Sequence, residues 1–272
     1  MRHLLLFFVS IFVILPPFFS HFSFGQENSI SYFKSFDNTK IAYTDEGNGE
    51  PVILIHGFIM HRTHWDNTAL KKLLLDKGYR VIIPDLRGNG DSDRPQNEDA
   101  YKNNAEIKDL IGLASHLNLT SYMAIGYSRG SIVLAELLTE EKRITKAVLG
   151  GMGINFTNPD WDRRIAFADA FSGRKPPDDL TRGAIDYARS INANIRALGF
   201  LQDHQPVTSP AELQRIETET LVICGDQDRD NGDPEALKDQ FPNGRLIIVE
   251  GDHNNTYKQA NFAQAIINFL EE

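Results

Sequence analysis

Six short runs of consecutive apolar residues punctuate this chain: Val52-Ile53-Leu54-Ile55, Val81-Ile82-Ile83, Tyr122-Met123-Ala124-Ile125, Ala147-Val148-Leu149, Leu221-Val222-Ile223-Cys224 and Leu246-Ile247-Ile248-Val249. A strand with one wet face alternates apolar and polar side chains, so a strand apolar at every position has to be covered on both faces. Segments of helical periodicity separate the runs. One spans residues 65–76, and a second places Ile107, Leu110, Ile111, Ala114 and Leu117 on one face. A third begins near residue 130, and the last carries Phe262, Ile266 and Phe269. This alternation predicts an α/β fold, a mostly parallel sheet with helices on both faces. Residues 31–36 and 40–44 read as two leading strands joined at Asp37-Asn38.

The alternation breaks between Met152 and Glu217. There Leu180, Ala184, Tyr187, Ala188, Ile191, Ile195 and Leu198 make one helical stripe closed by Gly199. An earlier helix is expected around residues 161–171. Ser209-Pro210-Ala211-Glu212 has the serine, proline and glutamate of a capped helix start.

Ser128 lies in Gly126-Tyr127-Ser128-Arg129-Gly130, after the third apolar run and before a helical segment. A strand turning sharply into a helix presents a serine Oγ at the apex, with free backbone N–H groups beside it. Small flanking residues leave room for so tight a turn. A pentapeptide of this form arises by chance in about one chain in ten of this length, so the serine needs partners. Its hydroxyl requires a neutral imidazole to take the proton and a carboxylate to orient that imidazole. One later run ends in Gly225-Asp226-Gln227-Asp228, with Asp230 close behind, and the last ends in Glu250-Gly251-Asp252-His253. Each group falls just past the C-terminal end of a strand, where parallel sheets bind ligands.

The chain order Ser, Asp, His is that of α/β-hydrolases, and here the sequence resembles that superfamily, in its compact branch with a small cap. The resemblance covers nearly the whole chain after residue 25. It rests on Ile55-His56-Gly57-Phe58, on Pro84-Asp85-Leu86-Arg87-Gly88-Asn89-Gly90-Asp91-Ser92, on the serine turn, on Gly225-x-x-Asp228 and on Gly251-Asp252-His253. Ser131, Asn89 and Glu219 depart from the common pattern at positions that bear on subfamily.

The resemblance implies Ser128 as nucleophile, His253 as its base, and Asp228 as the acid that orients His253. Asp228 is chosen over Asp226 and Asp230 by its spacing from Gly225. Backbone N–H groups of Phe58 and Arg129 would form the oxyanion hole. The Arg129 side chain would serve a structural pair, and Asp85 and Asp91 would fix the loop beside the serine. Implied too are a hydrolase core over residues 26–151 and 218–272 and a helical cap over residues 152–217. A serine at position 128 argues against the aspartate-dependent dehalogenases and epoxide hydrolases. The expected reaction is hydrolysis of a carboxylic ester through an acyl-enzyme, without cofactor. Carbon–carbon bond hydrolysis and cofactor-free perhydrolase chemistry use the same triad and stay open. A ligand-binding or sensory protein with vestigial activity is the alternative from another class. Met60, Met152, Phe156 and Trp161 are candidates for an apolar pocket wall. No cluster of Lys or Arg adjoins the motifs, so an uncharged ester of small or medium acyl chain is the expected substrate.

Composition narrows the partners. Lys and Arg total 28 against 37 Asp and Glu, a net charge of −9 that disfavours nucleic acid and anionic membranes. The single cysteine, Cys224, lies inside an apolar run and reads as a core thiol. His61 and His64 read as loop residues, and no metal is expected.

Residues 1–25 differ from the rest. Arg2 and His3 precede a run from Leu4 to Leu15 that Pro16-Pro17 interrupts, and Ser23-Phe24-Gly25 offers small residues for cleavage. That is the pattern of a secretory signal peptide, and the run is short against the roughly 20 residues a membrane helix needs. Export to the periplasm or medium is expected, with no membrane contact after cleavage; an N-terminal anchor is the alternative. Mass spectrometry of protein from the native host should find Gln26 at the mature N-terminus. An intact Met1 in the membrane fraction would establish the anchor.

Overall fold

A computed structural model describes residues 29–272; the expected signal segment and its cleavage site lie outside the described residues. The six apolar runs form β3 (Pro51–Ile55), β4 (Arg80–Pro84), β5 (Tyr122–Tyr127), β6 (Ile144–Gly150), β7 (Glu219–Gly225) and β8 (Gly244–Val249), all paired in parallel. β1 (Ser31–Lys34) and β2 (Lys40–Glu46) add an antiparallel edge, giving the spatial order β1-β2-β4-β3-β5-β6-β7-β8.

Successive residues of one strand point to opposite faces, and here each face has its own core. Ile53 and Ile55 pack with α2 (Ala105–His116) and α3 (Arg129–Glu140). Val52 and Leu54 pack with α1 (Ala69–Asp76) and α9 (Ala260–Glu271). These four side chains are essentially inaccessible. Each contributes about 1.5–3 kcal/mol through burial, which accounts for the unbroken apolar run. The helix expected from residue 65 begins later. Trp65 closes a 3-10 turn, Arg62–Trp65, and Thr68 caps α1 by accepting the Lys71 N–H at 3.3 Å.

Strand order fixes where a ligand can enter. From β3 the chain moves outward to β4, and from β5 it moves the other way to β6. The loops leaving β3 and β5 therefore part company at the C-terminal edge of adjacent strands, the switch point that opens a crevice in α/β sheets. Ile55 pairs with Gly126, so Phe58 and Ser128 emerge side by side.

Between β6 and β7 lie α4 (Asp162–Phe171), α5 (Arg182–Ser190), α6 (Ile195–Asp203) and α7 (Pro210–Leu213). A separate core joins Phe171, Ile185, Ala188, Ala197, Leu198 and Leu201 to Ile59 of the β3 loop and to Tyr101. Leu213 and Ile216 instead pack on the sheet beside α3. The single stripe expected over residues 180–198 is two helices. Asn192 breaks it with φ 54°, and Asn194 caps α6 by accepting the Ala197 N–H at 3.0 Å. Gly199 ends no helix. It sits inside α6, where a Cβ would lie 3.0 Å from the Phe171 carbonyl, so it lets α6 and α4 touch closely.

A close main-chain approach marks the start of α3. A Cβ on Gly130 would collide with the Ile55 carbonyl oxygen and lie 2.7 Å from that of His56, both main-chain atoms of the β3 end. Gly130→Ala should therefore cost about 3 kcal/mol or more, the upper range for overpacking. Urea denaturation at matched pH measures it; an unchanged midpoint would refute so close an approach.

Candidate active site

Ser128 occupies the apex between β5 and α3 with φ 54° and ψ −124°. A non-glycine residue held there stores on the order of 1–3 kcal/mol of strain. Its N–H donates to the Gly150 carbonyl at 2.8 Å and its carbonyl accepts the Ser131 N–H at 2.8 Å. Ser131, the departure from the usual glycine, is fully buried and donates its hydroxyl to the Gly126 and Gly150 carbonyls at 3.0 and 2.8 Å. A side chain on Gly126 would strike the Gly130 main chain. The turn is over-determined on both sides.

The structure brings Ser128, His253 and Asp228 together. Ser128 Oγ lies 2.9 Å from His253 Nε2, and His253 Nδ1 lies 2.7 Å from Asp228 Oδ2. The neighbouring acids are engaged elsewhere. Asp226 accepts the Gly251 N–H at 3.0 Å, and Asp230 faces Arg163 at 3.5 Å. Asp228 is buried, and with Nδ1–H donated to it, Nε2 is left as the acceptor facing the serine.

Phe58 and Arg129 flank the serine on the β3 and α3 sides. Arg129 opens α3, where the first N–H groups have no partner within the helix. Among the described residues neither backbone N–H meets an acceptor. The Phe58 side is held by a second strained turn. Ile59 has φ 59°, unusual for a β-branched residue, and its side chain is anchored in the core shared with α4 to α6. Paired free N–H groups beside a nucleophile can hold a negative oxygen as it develops.

A cavity of about 650 Å³ opens over these groups. Met60, Met152 and Trp161 line it with Phe167 and Leu180. Phe156 does not: the turn Ile154–Thr157 folds it fully buried into the sheet-side core, which corrects its reading as pocket wall. The fold also brings Arg163, Arg164 and Lys258 to the lining, a grouping that sequence proximity to the motifs did not reveal. Arg163 faces Asp230, Arg164 donates to the Pro159 carbonyl at 2.5 Å, and Lys258 sits over the Tyr257 ring. His61 and His64 stack edge to face in the Arg62–Trp65 turn, and His64 Nε2 lies 3.3 Å from the Tyr187 hydroxyl across the cavity. Among the described residues no three His, Cys, Asp or Glu side chains converge on a metal site, and no helix is long and apolar enough to cross a membrane. Cys224 is buried with its thiol pushed up to about 12, donating to the Met152 carbonyl at 3.3 Å.

Known proteins share this arrangement of elements. A family model described as the alpha/beta hydrolase fold matches residues 50–182. A protein of Synechocystis sp., provisionally named a non-heme chloroperoxidase, is 30% identical over 282 residues, covering 91% of this chain and 98% of its own. The chain belongs to the α/β hydrolase family. Among solved structures, an esterase from Exiguobacterium antarcticum matches with TM-score 0.75 at 21% identity, over 89% of this chain and 99% of that one. A bromoperoxidase from Bacillus anthracis matches at 0.71 and 24%, over 90% and 100%. The fold and the family make this protein an enzyme.

Several further residues hold this hydrolase's site together, and Tyr127 and Asn231 among them carry no sequence signature. Tyr127 donates its hydroxyl to the His253 carbonyl at 2.7 Å and packs its ring against that imidazole. Asn231 donates to the Gly151 carbonyl at 3.1 Å, and its amide nitrogen lies 3.3 Å from His253 Nδ1. Asp85, fully buried, accepts the Arg62 N–H at 2.6 Å and the Asp91 N–H at 2.8 Å, and pairs with the Arg62 guanidinium. Arg62 also reaches the Asp91 carboxylate at 2.7 Å, so both acids do bind the loop together. The Arg129 guanidinium pairs bidentately with Glu106 at 2.8 and 2.6 Å.

His56 is a further internal tie. Its Nε2 accepts the Leu86 N–H at 3.0 Å and its Nδ1 donates to the Gly57 carbonyl at 2.9 Å, linking the ends of β3 and β4. Burial pushes its pKa down from 6.5 to about 4. A buried histidine that resists protonation contributes fully above pH 6.5 and loses that contribution as pH falls toward 4. By linkage the loss is about 3 kcal/mol over that window. Urea midpoints of wild type and His56→Gln, compared from pH 7 to 4.5, should show the steeper fall in wild type. Parallel curves would remove His56 from the account.

Proposed function

We propose that this hydrolase cleaves carboxylic esters, with Ser128 as nucleophile, His253 as general base and Asp228 as its orienting acid. The observation that carries this reading is the hydrogen-bonded line from Ser128 Oγ through the imidazole to Asp228 at the floor of the cavity. Ser128 Oγ attacks the acyl carbon as Nε2 takes its proton, and Asp228 stabilises the imidazolium. The carbonyl oxygen, now negative, accepts from the Phe58 and Arg129 N–H groups. His253 returns the proton to the departing alkoxide, leaving an acyl-enzyme. Water then attacks the acyl carbon, again through His253, releasing the acid and restoring the serine. A cavity of about 650 Å³ is within the usual range for a small-molecule site and supports short or medium acyl chains.

The name of the Synechocystis relative favours a second reaction at the same site. Hydrogen peroxide in place of water would attack the acyl-enzyme, giving a peracid and free Ser128. The first half-reaction is common to both.

Ser128→Ala should lower kcat by about 10⁶ and abolish fluorophosphonate labelling, while Asp228→Asn should lower kcat by about 10⁴. Across p-nitrophenyl esters from acetate to palmitate, kcat/KM should peak at short or medium chains. Labelling that survives in Ser128→Ala, or a maximum at palmitate, would overturn the assignment. Peracid formed from acetate and peroxide by wild type but not by Ser128→Ala would establish the second reaction.

A further inference from the structure

The cavity wall holds two polar side chains for which the reaction has no use. Gln202, in the last turn of α6, and Gln205, just beyond it, both line the cavity and are 5% and 6% exposed. Neither side-chain amide meets a hydrogen-bond partner among the described residues, and Gln205 Nε2 is an orphaned buried donor. Arg129 Nε, in the same wall, is orphaned too. Leaving a buried amide unpaired costs about 1–3 kcal/mol, so such groups call for a reason. Nor are they placed loosely. Arg129 donates through Nη2 to the Leu201 carbonyl at 2.9 Å, which pins the end of α6 over the start of α3. The residue after Ser128 thus ties the end of α6, which bears Gln202, to the start of α3.

We propose that Gln202 and Gln205 form a polar subsite selecting esters whose acyl portion carries an uncharged hydrogen-bonding oxygen, a hydroxyl or a keto group. The inference rests on the ester-hydrolase reading. The leaving group has to depart toward His253 Nε2, which protonates it, and the oxyanion turns to the Phe58 and Arg129 N–H groups. The α3 side of Ser128, where Arg129 and Ile132 line the cavity along with the two glutamines, is left for the acyl chain. An amide offers both a donor and an acceptor, which suits a hydroxyl or a carbonyl. Glu106 neutralises the Arg129 guanidinium, so the recess is polar without net charge. An ester lacking that oxygen leaves the amide unpaired on binding and is disfavoured for that reason.

The test compares p-nitrophenyl 3-hydroxybutanoate and 3-oxobutanoate with p-nitrophenyl butanoate, in wild type, Gln202→Leu, Gln205→Leu and the double variant. Fluorophosphonate titration counts active sites in each preparation. Wild type should favour at least one oxygenated ester in kcat/KM by about 10–100-fold, and each substitution should remove about tenfold of that ratio. A wild-type ratio at or below one overturns the subsite, whether or not the variants fold. A preference that both single variants retain in full overturns it as well. A preference found instead between 2-hydroxyethyl and ethyl butanoate moves the oxygen to the alcohol side and overturns the acyl assignment. Failure of the underlying reading looks different: no ester is cleaved and Ser128 does not label. Labelling and butanoate cleavage without any preference defeat the subsite alone.

Discussion

The contact between the start of α3 and the end of β3 governs the site, because it involves main chain on both sides. Side chains can repack around a misfit, whereas two backbones that touch cannot. Gly130 lets α3 rest against the carbonyls of Ile55 and His56, and Gly126 lets the same turn close on itself. With these two approaches in place, the free N–H at the start of α3 and that of Phe58 flank Ser128 at the cavity. Registry between β3 and β5 does the rest, since Ile55 and Gly126 pair across the sheet. The placement of these two free N–H groups near Ser128 is thus a property of strand pairing and two missing Cβ atoms.

Much of this was legible in the sequence, for reasons that differ from residue to residue. Apolar runs with no alternation can only be covered strands, so the parallel sheet followed from Val52-Ile53-Leu54-Ile55 and its equivalents. Ser128 was legible because the turn it needs demands small neighbours. His253 and Asp228 were legible because each follows a recognisable strand. The misreadings share a cause: periodicity reports that a residue is buried, not what buries it. Phe156 is as apolar as a pocket wall should be, yet the turn after β6 folds it under the sheet. Gly199 carries the mark of a helix end, yet its role is to let α4 and α6 approach. A stripe running from Leu180 to Leu198 does not register Asn192, whose left-handed backbone splits it.

Contacts made across the fold left no trace in the sequence. Gln202 and Gln205 are ordinary residues near a helix end until the fold brings them to the wall of the cavity that holds Ser128. Arg163 and Arg164 lie more than 90 residues from Lys258 along the chain, so only folding groups them at the cavity. Tyr127 has no role legible from its place between Gly126 and Ser128. Its hydroxyl in fact fixes the backbone of His253, 126 residues away.

Buried charge in this protein is concentrated where loops must hold still. Arg62 joins Asp85 to Asp91, Arg129 joins Glu106, and Arg87 joins Asp109 with both bonds at 2.6 Å. Such pairs are weak sources of net stability, because desolvating both partners offsets most of their attraction. Their geometry is exacting, however, and breaking one leaves an unpaired charge at a cost of about 3–5 kcal/mol. Each therefore penalises displacement steeply even where it adds little to folding. The first ties the β3 loop bearing Phe58 to the β4 loop, and the second ties the serine turn to α2. A serine, an imidazole and two free N–H groups keep their relative positions through that stiffness more than through added stability. The strain at Ser128 and Ile59 follows from the same economy: turns that would relax on their own are held open by what surrounds them.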